Sequence, residues 1–271
     1  MVLVLALAIV LGMLILQFGL TARAQLAQAQ FLLEKSKAEV EVHSLESALL
    51  FSLLTKVGVA TPPADSNGVS RMNFEGEPFS LGDHTVRVQD MSGLFTMPSP
   101  GAPTRDFEGL LVTLGLHSDQ ARAVGKRLFE AQVSPRRFPL QTFSEVAFVT
   151  GLDGVLINRL EAIGSFYPST IFNPLTAPAE VLTARYGRDI GEFILRERRE
   201  RQLNELEVQR IIGQDIDLLT SLLVGPGFRL EVAVQMGDAK LMRRSVWTVY
   251  PSSVDNPLTL WSRQGVDPAA D

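Results

Sequence analysis

The chain has 271 residues, which is enough for a membrane anchor and one or two modest domains, and its formal net charge is −5. This acidic balance argues against broad contact with nucleic acid, although a local basic patch would still fit it. The absence of cysteine excludes disulfides, thiol catalysis and thiolate metal sites, and three histidines disfavour a multi-histidine metal site. Because no catalytic constellation is visible either, the sequence predicts a protein that is not an enzyme.

The first 22 residues contain no charged side chain. A helix of that length spans about 33 Å, which is close to the hydrocarbon thickness of a bilayer. From Arg23 to Val57 the chain has no proline and no glycine and is rich in strong helix formers. The pattern predicts one continuous helix of about 55 residues, half in lipid and half outside, that Gly58 and the prolines after it end.

Two sets of residues are assigned to this helix. Gly12 and Gly19 are small enough for close helix approach, but their spacing is not the GxxxG signature. Apolar residues that recur at helical spacing in the second half predict packing against the helices of partner proteins. The predicted membrane-anchor residues are Met1, Leu5, Gly12, Leu16 and Ala22, and the predicted partner-packing residues are Leu32, Val42, Leu45, Leu49 and Leu53.

The remaining sequence predicts a small sheet interrupted by a helical region. Alternation with period two over residues 84–89, 228–236, 241–250 and 257–264 predicts antiparallel strands with one apolar face. That face is expected to pack on the amphipathic half of the long helix. The predicted fold class is therefore α+β, with a long N-terminal α-helix, a small antiparallel sheet and a large inserted α-helical domain.

The domain boundaries follow from composition. Residues 97–105 hold three prolines and a glycine and therefore mark a boundary. The predicted domains are residues 1–57 for the anchor and stalk helix, 58–96 together with 223–271 for the sheet, and 97–222 for the inserted helical domain.

One pattern occurs twice within the helical region. F-x-x-[LV]-x-x-x-x-G-L begins at Phe107 and again at Phe143, and each copy predicts a short helix, a glycine break and a second helix. Such pairs are similar to helix-hairpin-helix units, some of which bind DNA phosphates, but basic clusters are sparse here, so ordinary helical packing is favoured. The alternating charges of residues 196–201 favour a solvated helix face over a docking or phosphate-binding patch. Thr176 is predicted to cap a helix with Pro178 in its first turn.

Six stretches in a fixed order resemble one known family. They are MVLVLALAIVLG at the start, VRVQDMSG (86–93), FEGLLVTLGL (107–116), PLQTFSEVAFVTGL (139–152), FNPLTAPAEVL (172–182) and FRLEVAVQMG (228–237). In this order they resemble the K-type minor pseudopilins (GspK family) of type II secretion systems. The resemblance implies a pilin-like fold and a non-enzymatic subunit at the tip of the pseudopilus.

The resemblance also implies partners and a location. Such a subunit primes assembly with I-type and J-type minor pseudopilins and supports protein export, with contact to secreted cargo as a further implication. Its anchor would lie in the inner membrane and its globular part in the periplasm, with no nucleic-acid partner. A prepilin peptidase would create and methylate Met1 as the mature first residue. Leu5 stands where most pilin-like proteins carry glutamate, which members of the K family lack.

The resemblance is incomplete at one place. Family members often carry an acidic segment that contributes to calcium binding, but here only EAQVS separates Phe129 from Pro135. We therefore expect no cofactor and transfer no calcium ligands. Two alternatives stay open at this point: a membrane-tethered helix-hairpin-helix module that binds nucleic acid, and a minor pilin of a type IV pilus.

Overall fold

The computed structural model describes residues 1–56, 72–100, 102, 104–133, 140–167, 169, 171–200, 203, 205–213, 220–249 and 258–265. The chain begins with helix α1, Val2–Lys56, whose 55 residues confirm the predicted continuous helix. The other helices are α2 Arg105–Thr113, α3 Ser118–Val133, α4 Phe143–Thr150, α5 Gly154–Ile163, α6 Ala179–Tyr186, α7 Arg188–Glu200 and α8 Glu205–Ile212. The strands are β1 Phe79–Leu81, β2 His84–Asp90, β3 Phe95–Thr96, β4 Gly164–Ser165, β5 Gly227–Met236, β6 Ala239–Thr248 and β7 Leu258–Gly265.

Five strands form one antiparallel sheet in the order β1-β2-β5-β6-β7. The four strands expected from the alternation are β2, β5, β6 and β7. The strand β1 and the short parallel pair of β3 with β4 were not predicted, because strands of two or three residues are too short to show a period. The helical region follows β2 in the chain and returns at β5, so it is inserted between two neighbouring strands.

The first hydrophobic core lies between α1 and one face of the sheet. Alternate residues of β5, from Phe228 to Val234, are buried there, because successive side chains of a strand point to opposite faces. Five α1 side chains complete this core from the helix side: Ala38, Val42, Leu45, Leu49 and Leu53. The predicted packing of the sheet on the amphipathic half of the long helix is therefore observed.

The buried side chains of the second hydrophobic core all lie between residues 97 and 194, with Phe107, Leu128 and Ile194 fully buried, and the partly buried Phe95 packs against it from β3. The glycine breaks predicted from the repeated pattern are present, since Gly115 and Gly151 adopt positive φ values of 105° and 68° between the paired helices. This core belongs to the region predicted as an inserted domain, although the boundaries 97 and 222 stay a prediction.

The inserted helices leave the sheet at one end only. The hairpin that joins β5 to β6 lies beside Glu34, near the middle of α1. At the other end of the sheet, β2 ends at Asp90, which pairs with Phe228 at the start of β5, and Phe228 belongs to the same core as Leu53 near the end of α1. The insertion between Asp90 and Gly227 therefore leaves from the end of the sheet that is far from the apolar start of α1.

One predicted cap is wrong. The residue that precedes α6 is Pro178, in an extended conformation, and Thr176 does not cap this helix. The Thr176 hydroxyl instead donates to the buried Asp90 carboxylate at 3.0 Å. A carboxylate is a stronger hydrogen-bond acceptor than an uncharged group, and the local sequence pattern does not show that Asp90 lies near Thr176.

Candidate functional site

In the apolar first part of α1, every side chain that the structure describes is exposed. Ile15 and Phe18 are 71% and 72% exposed, and Leu16 is 65% exposed. Among the described helices, α1 is long and apolar enough to cross a membrane, and none of its apolar window is buried inside the protein. Exposure on every side of a helix is typical of a segment whose surroundings are lipid or other helices.

The predicted anchor residues fall in this part of α1. Met1, Gly12, Leu16 and Ala22 are all exposed, and a Cβ added at Gly12 would meet nothing within 4 Å. The side chain of Leu5 lies outside the described part of the structure. The roles assigned to these residues, including processing at Met1, stay predictions.

The predicted partner-packing residues divide into two groups. Val42, Leu45, Leu49 and Leu53 are 0–8% exposed because they pack on the sheet of their own chain. Their assignment to partner helices was therefore wrong, since an amphipathic stripe looks the same whether an own sheet or another helix covers it. Leu32 is 53% exposed and stays a prediction.

A second apolar stripe runs along the opposite side of α1. Leu26, Leu33, Val40 and Phe51 are 61%, 56%, 70% and 66% exposed. At about 100° per residue these four positions lie within roughly 40° of one another, opposite the side that packs on the sheet. This stripe was not predicted from the sequence. Its signal is the spacing of seven residues from Leu26 to Leu33 to Val40, which is the spacing of helix–helix seams. We call these four residues the outward stripe.

A buried carboxylate fixes the rotation of α1 on the sheet. Glu46 is 4% exposed and lies among the sheet-facing residues of α1. Its carboxylate accepts from the Ser245 hydroxyl and, at 3.1 Å, from the Trp247 indole N–H, and it lies 3.5 Å from the Arg243 guanidinium. Because these partners are directional, they hold the outward stripe away from the sheet.

A second carboxylate, that of Glu34, contacts the sheet twelve residues before Glu46 in α1. The Glu34 side chain accepts from the Asp238 backbone N–H at 3.0 Å in the turn between β5 and β6. Gly237 in the same turn has φ 58°, and a Cβ there would lie 2.5 Å from the Glu34 carboxylate. This contact marks where α1 first meets the globular part, so the residues before Glu34 extend beyond the described sheet.

Asp90 connects the sheet to the inserted helices. Its fully buried carboxylate accepts from the Ser92 hydroxyl at 2.6 Å, the Asn173 amide at 3.1 Å and the Thr176 hydroxyl. Gly93 packs so closely that an added Cβ would lie 2.6 Å from the Thr176 backbone. A buried carboxylate needs such donors, so the network fixes the orientation of the two parts.

Arg198 makes a second connection of this kind. It donates to the Ala177 carbonyl at 2.7 Å and forms an ion pair with Glu75 at 3.2 Å, with only 9% of its side chain exposed. Burial lowers the pKa of Arg198 and raises the pKa of Glu75. The expectation that residues 196–201 form a solvated face is therefore wrong for Arg198, while Arg196 and Arg199 are exposed.

The structure does not change the predictions about metal and nucleic-acid binding. Within the described ranges no group of three or more histidine, aspartate and glutamate side chains could hold a metal ion. This observation leaves calcium binding untested, and the preference against nucleic acid likewise stays a prediction.

These features define a pilin-like α+β protein, in which a long N-terminal helix packs on a small antiparallel sheet that carries inserted helices. The structure is similar to a chain of the crystal structure of the GspK–GspI–GspJ complex of the type 2 secretion system of enterotoxigenic Escherichia coli. The TM-score is 0.52 at 17% sequence identity, and the alignment covers 91% of this chain and 100% of that chain. This likeness concerns the fold and confirms the predicted fold class. No protein-family model and no curated protein matches the sequence.

Proposed function

We propose that the protein is a non-enzymatic minor pseudopilin at the tip of a type II secretion pseudopilus, where it primes assembly and supports protein export. The observation that carries the proposal is the shared fold with a chain of the GspK–GspI–GspJ complex over nearly the whole length of both chains. The exposed apolar start of α1 would anchor the protein in the inner membrane, with the globular part in the periplasm.

The position at the tip is supported by the placement of the inserted helices. They leave the sheet at the end that is far from the apolar start of α1. A subunit added beyond this end would meet the inserted helices before it reached α1. A terminal position in the filament avoids this obstruction.

The partners we propose are I-type and J-type minor pseudopilins, and the outward stripe is the surface that would bind their helices. The stripe is apolar, continuous with the anchor and held away from the sheet by Glu46. Small residues such as Ala29, Ser36 and Ser44 separate its large side chains and allow close helix approach.

The test uses the absence of cysteine from the chain. Val40→Cys and Phe51→Cys place single thiols on the outward stripe, and Val42→Cys places the matched control on the sheet-facing side. Each variant is expressed as the full chain with I-type and J-type minor pseudopilins that carry single cysteines along their first helices. We expect disulfide cross-links at positions 40 and 51 and none at position 42.

Two outcomes would contradict the proposal. One is an absence of cross-links from positions 40 and 51 to either partner while the variants remain in the membrane. The other is equal cross-linking at position 42, which would mean that the outward stripe is not the contact surface.

A further inference from the structure

A cavity of ≈ 310 Å³ lies where the inserted helices meet the face of the sheet that points away from α1. Its size is at the lower end of small-molecule sites, which are about 300–1,000 Å³. The first turn of α4, the segment after α5 and the strands β5 and β6 contribute its walls. The charged lining residues are Arg229, Arg244 and Glu161, the apolar ones include Phe143, Phe166 and Val246, and Ser144 is among the polar ones.

Arg229 places a guanidinium at this cavity. Its guanidinium donates to the carbonyl oxygens of Glu161 at 2.9 Å, Ala162 at 3.1 Å and Gly164 at the C-terminal end of α5. All of these acceptors are uncharged, and no carboxylate of the described residues forms an ion pair with it. Burial, and then the nearby Arg244, lower the pKa of Arg229 to about 10, so its environment disfavours the charged form.

The second arginine has its own counter-ions. Arg244 donates to the Glu231 carboxylate at 2.7 Å and to the Glu161 carboxylate at 3.0 Å. These two ion pairs leave Glu161 and Glu231 engaged elsewhere. These two carboxylates act on Arg229 electrostatically without forming an ion pair with it. An anion in the cavity would therefore compensate the charge of Arg229 directly.

Part of the remaining wall is apolar, and uncharged polar residues such as Thr142, Ser144 and Ser165 form much of the rest. Phe143 and Phe166 stand with ring centroids 4.8 Å apart, and Val246 lies on the sheet side. A cavity that combines apolar wall with convergent polar groups is typical of a site for a small organic ligand. Glu161 is paired with Arg244, whereas Arg229 has no ion pair among the described residues, so a ligand that meets Arg229 needs an anionic end, and the two rings suit an apolar body.

We propose that this cavity binds a small organic carboxylate with an apolar or aromatic body, its carboxylate at Arg229 and its body against Phe143 and Phe166. The same chemistry is offered by a free aromatic acid and by the C-terminal residue of a peptide. The site is separate from the outward stripe and does not depend on the proposed pseudopilin function.

The test is isothermal titration of the full chain in detergent micelles with 3-phenylpropionate, and with 3-phenylpropanol as the uncharged analogue. We expect a Kd on the order of 1 mM for the acid, as suits a ligand of this size. The alcohol should bind at least roughly tenfold more weakly, because it cannot compensate the arginine. A second arm compares the peptide Gly-Gly-Phe with its C-terminal amide. Binding of this peptide but not its amide would extend the site to chain termini.

The matched variants are Ser144→Asp and Ser144→Asn. Aspartate in the first turn of α4 favours the helix, so this variant should keep its thermal stability, but its charge would repel a ligand carboxylate. We expect Ser144→Asp to weaken binding of the acid by roughly tenfold or more and Ser144→Asn to leave it within about twofold. Arg229→Gln should also abolish binding, whereas Arg122→Gln, at an exposed arginine of α3 that pairs with Asp119 outside the cavity, should not.

Three results would overturn the proposal. They are an absence of heat change for both the acid and Gly-Gly-Phe, equal binding of the acid and the alcohol, and equal binding of the acid by Ser144→Asp and Ser144→Asn. Because the Ser144 pair retains Arg229, this comparison decides the question even if Arg229→Gln fails to fold.

Discussion

The two halves of α1 are one helix in two environments. In the first half Ile15 and Phe18 are more than two thirds exposed, whereas in the second half Val42 and Leu53 are 1% and 0% exposed. The backbone is helical throughout, so helix propensity does not distinguish the halves. What differs is the neighbour, because only the second half has a sheet of the same chain against one of its sides.

The difference shows which apolar surface of α1 the chain buries against its own sheet and which it leaves exposed. In the second half the sheet covers one stripe and leaves the outward stripe uncovered, while in the first half all the described side chains are exposed. Buried stripe residues should therefore determine the stability of the globular part, and exposed ones should determine association. Substitutions on the two sides and in the two halves separate these roles.

The largest effect on folding is expected at Leu53, which is fully buried between α1 and the sheet. Leu53→Ala should lower the free energy of unfolding by about 2–5 kcal/mol, because it removes buried apolar area and leaves a cavity. The matched control is Phe51→Ala on the outward stripe, which should change it by less than about 0.5 kcal/mol. Urea unfolding of the full chain in micelles, followed by tryptophan fluorescence, measures both. Equal losses would mean that α1 does not pack on the sheet as described.

The first half is tested by a charge in its apolar surface. Leu16→Arg should cost about 2.5–3.5 kcal/mol if position 16 lies near the centre of a bilayer. We expect this variant to be lost from the carbonate-resistant membrane fraction, whereas Leu16→Ala should remain there. The unfolding free energy of the globular part should not change in either variant, because the Leu16 side chain is largely exposed. Full membrane retention of Leu16→Arg would contradict the assignment of an anchor.

Much of this architecture follows from local patterns in the sequence. The uncharged run, the absence of proline and glycine from Arg23 to Val57, and the alternation of Phe228 to Met236 predicted α1 and β5 nearly to the residue. These features depend on periodicity and breakers, which act over a few residues. The glycine breaks at Gly115 and Gly151 were predictable for the same reason.

The contacts between distant segments could not be predicted in this way. Asp90 and Thr176 belong to two of the stretches that suggested a family, but nothing in either stretch reveals that they meet in one buried network. Likewise the pattern of Val42 and Leu53 shows that a side of α1 is covered without showing by what. The structure shows that the sheet of the same chain covers Val42 and Leu53. The exposed residues of the outward stripe are therefore the candidate surface for partner helices.

The smallest expected effect concerns Glu46, which connects the two sides of the second half. Glu46→Ala should lower the free energy of unfolding by about 1–3 kcal/mol, because it leaves the Ser245 hydroxyl and the Trp247 indole N–H without their charged acceptor. Glu46→Gln keeps an acceptor oxygen in place and should cost about 1 kcal/mol or less. The same urea titration measures both variants.

The effect on rotation separates this role of Glu46 from a simple contribution to stability. If its hydrogen bonds fix the rotation of α1, Glu46→Ala should also expose the sheet-facing side under native conditions, since only apolar contacts then define the angle. A thiol in Val42→Cys should become reactive toward maleimide in the Glu46→Ala background and stay protected in the Glu46→Gln background. Protection in both backgrounds, together with lowered stability, would mean that the apolar stripe alone sets the rotation. In that case the outward stripe owes its direction to Val42, Leu49 and Leu53 and not to the buried carboxylate.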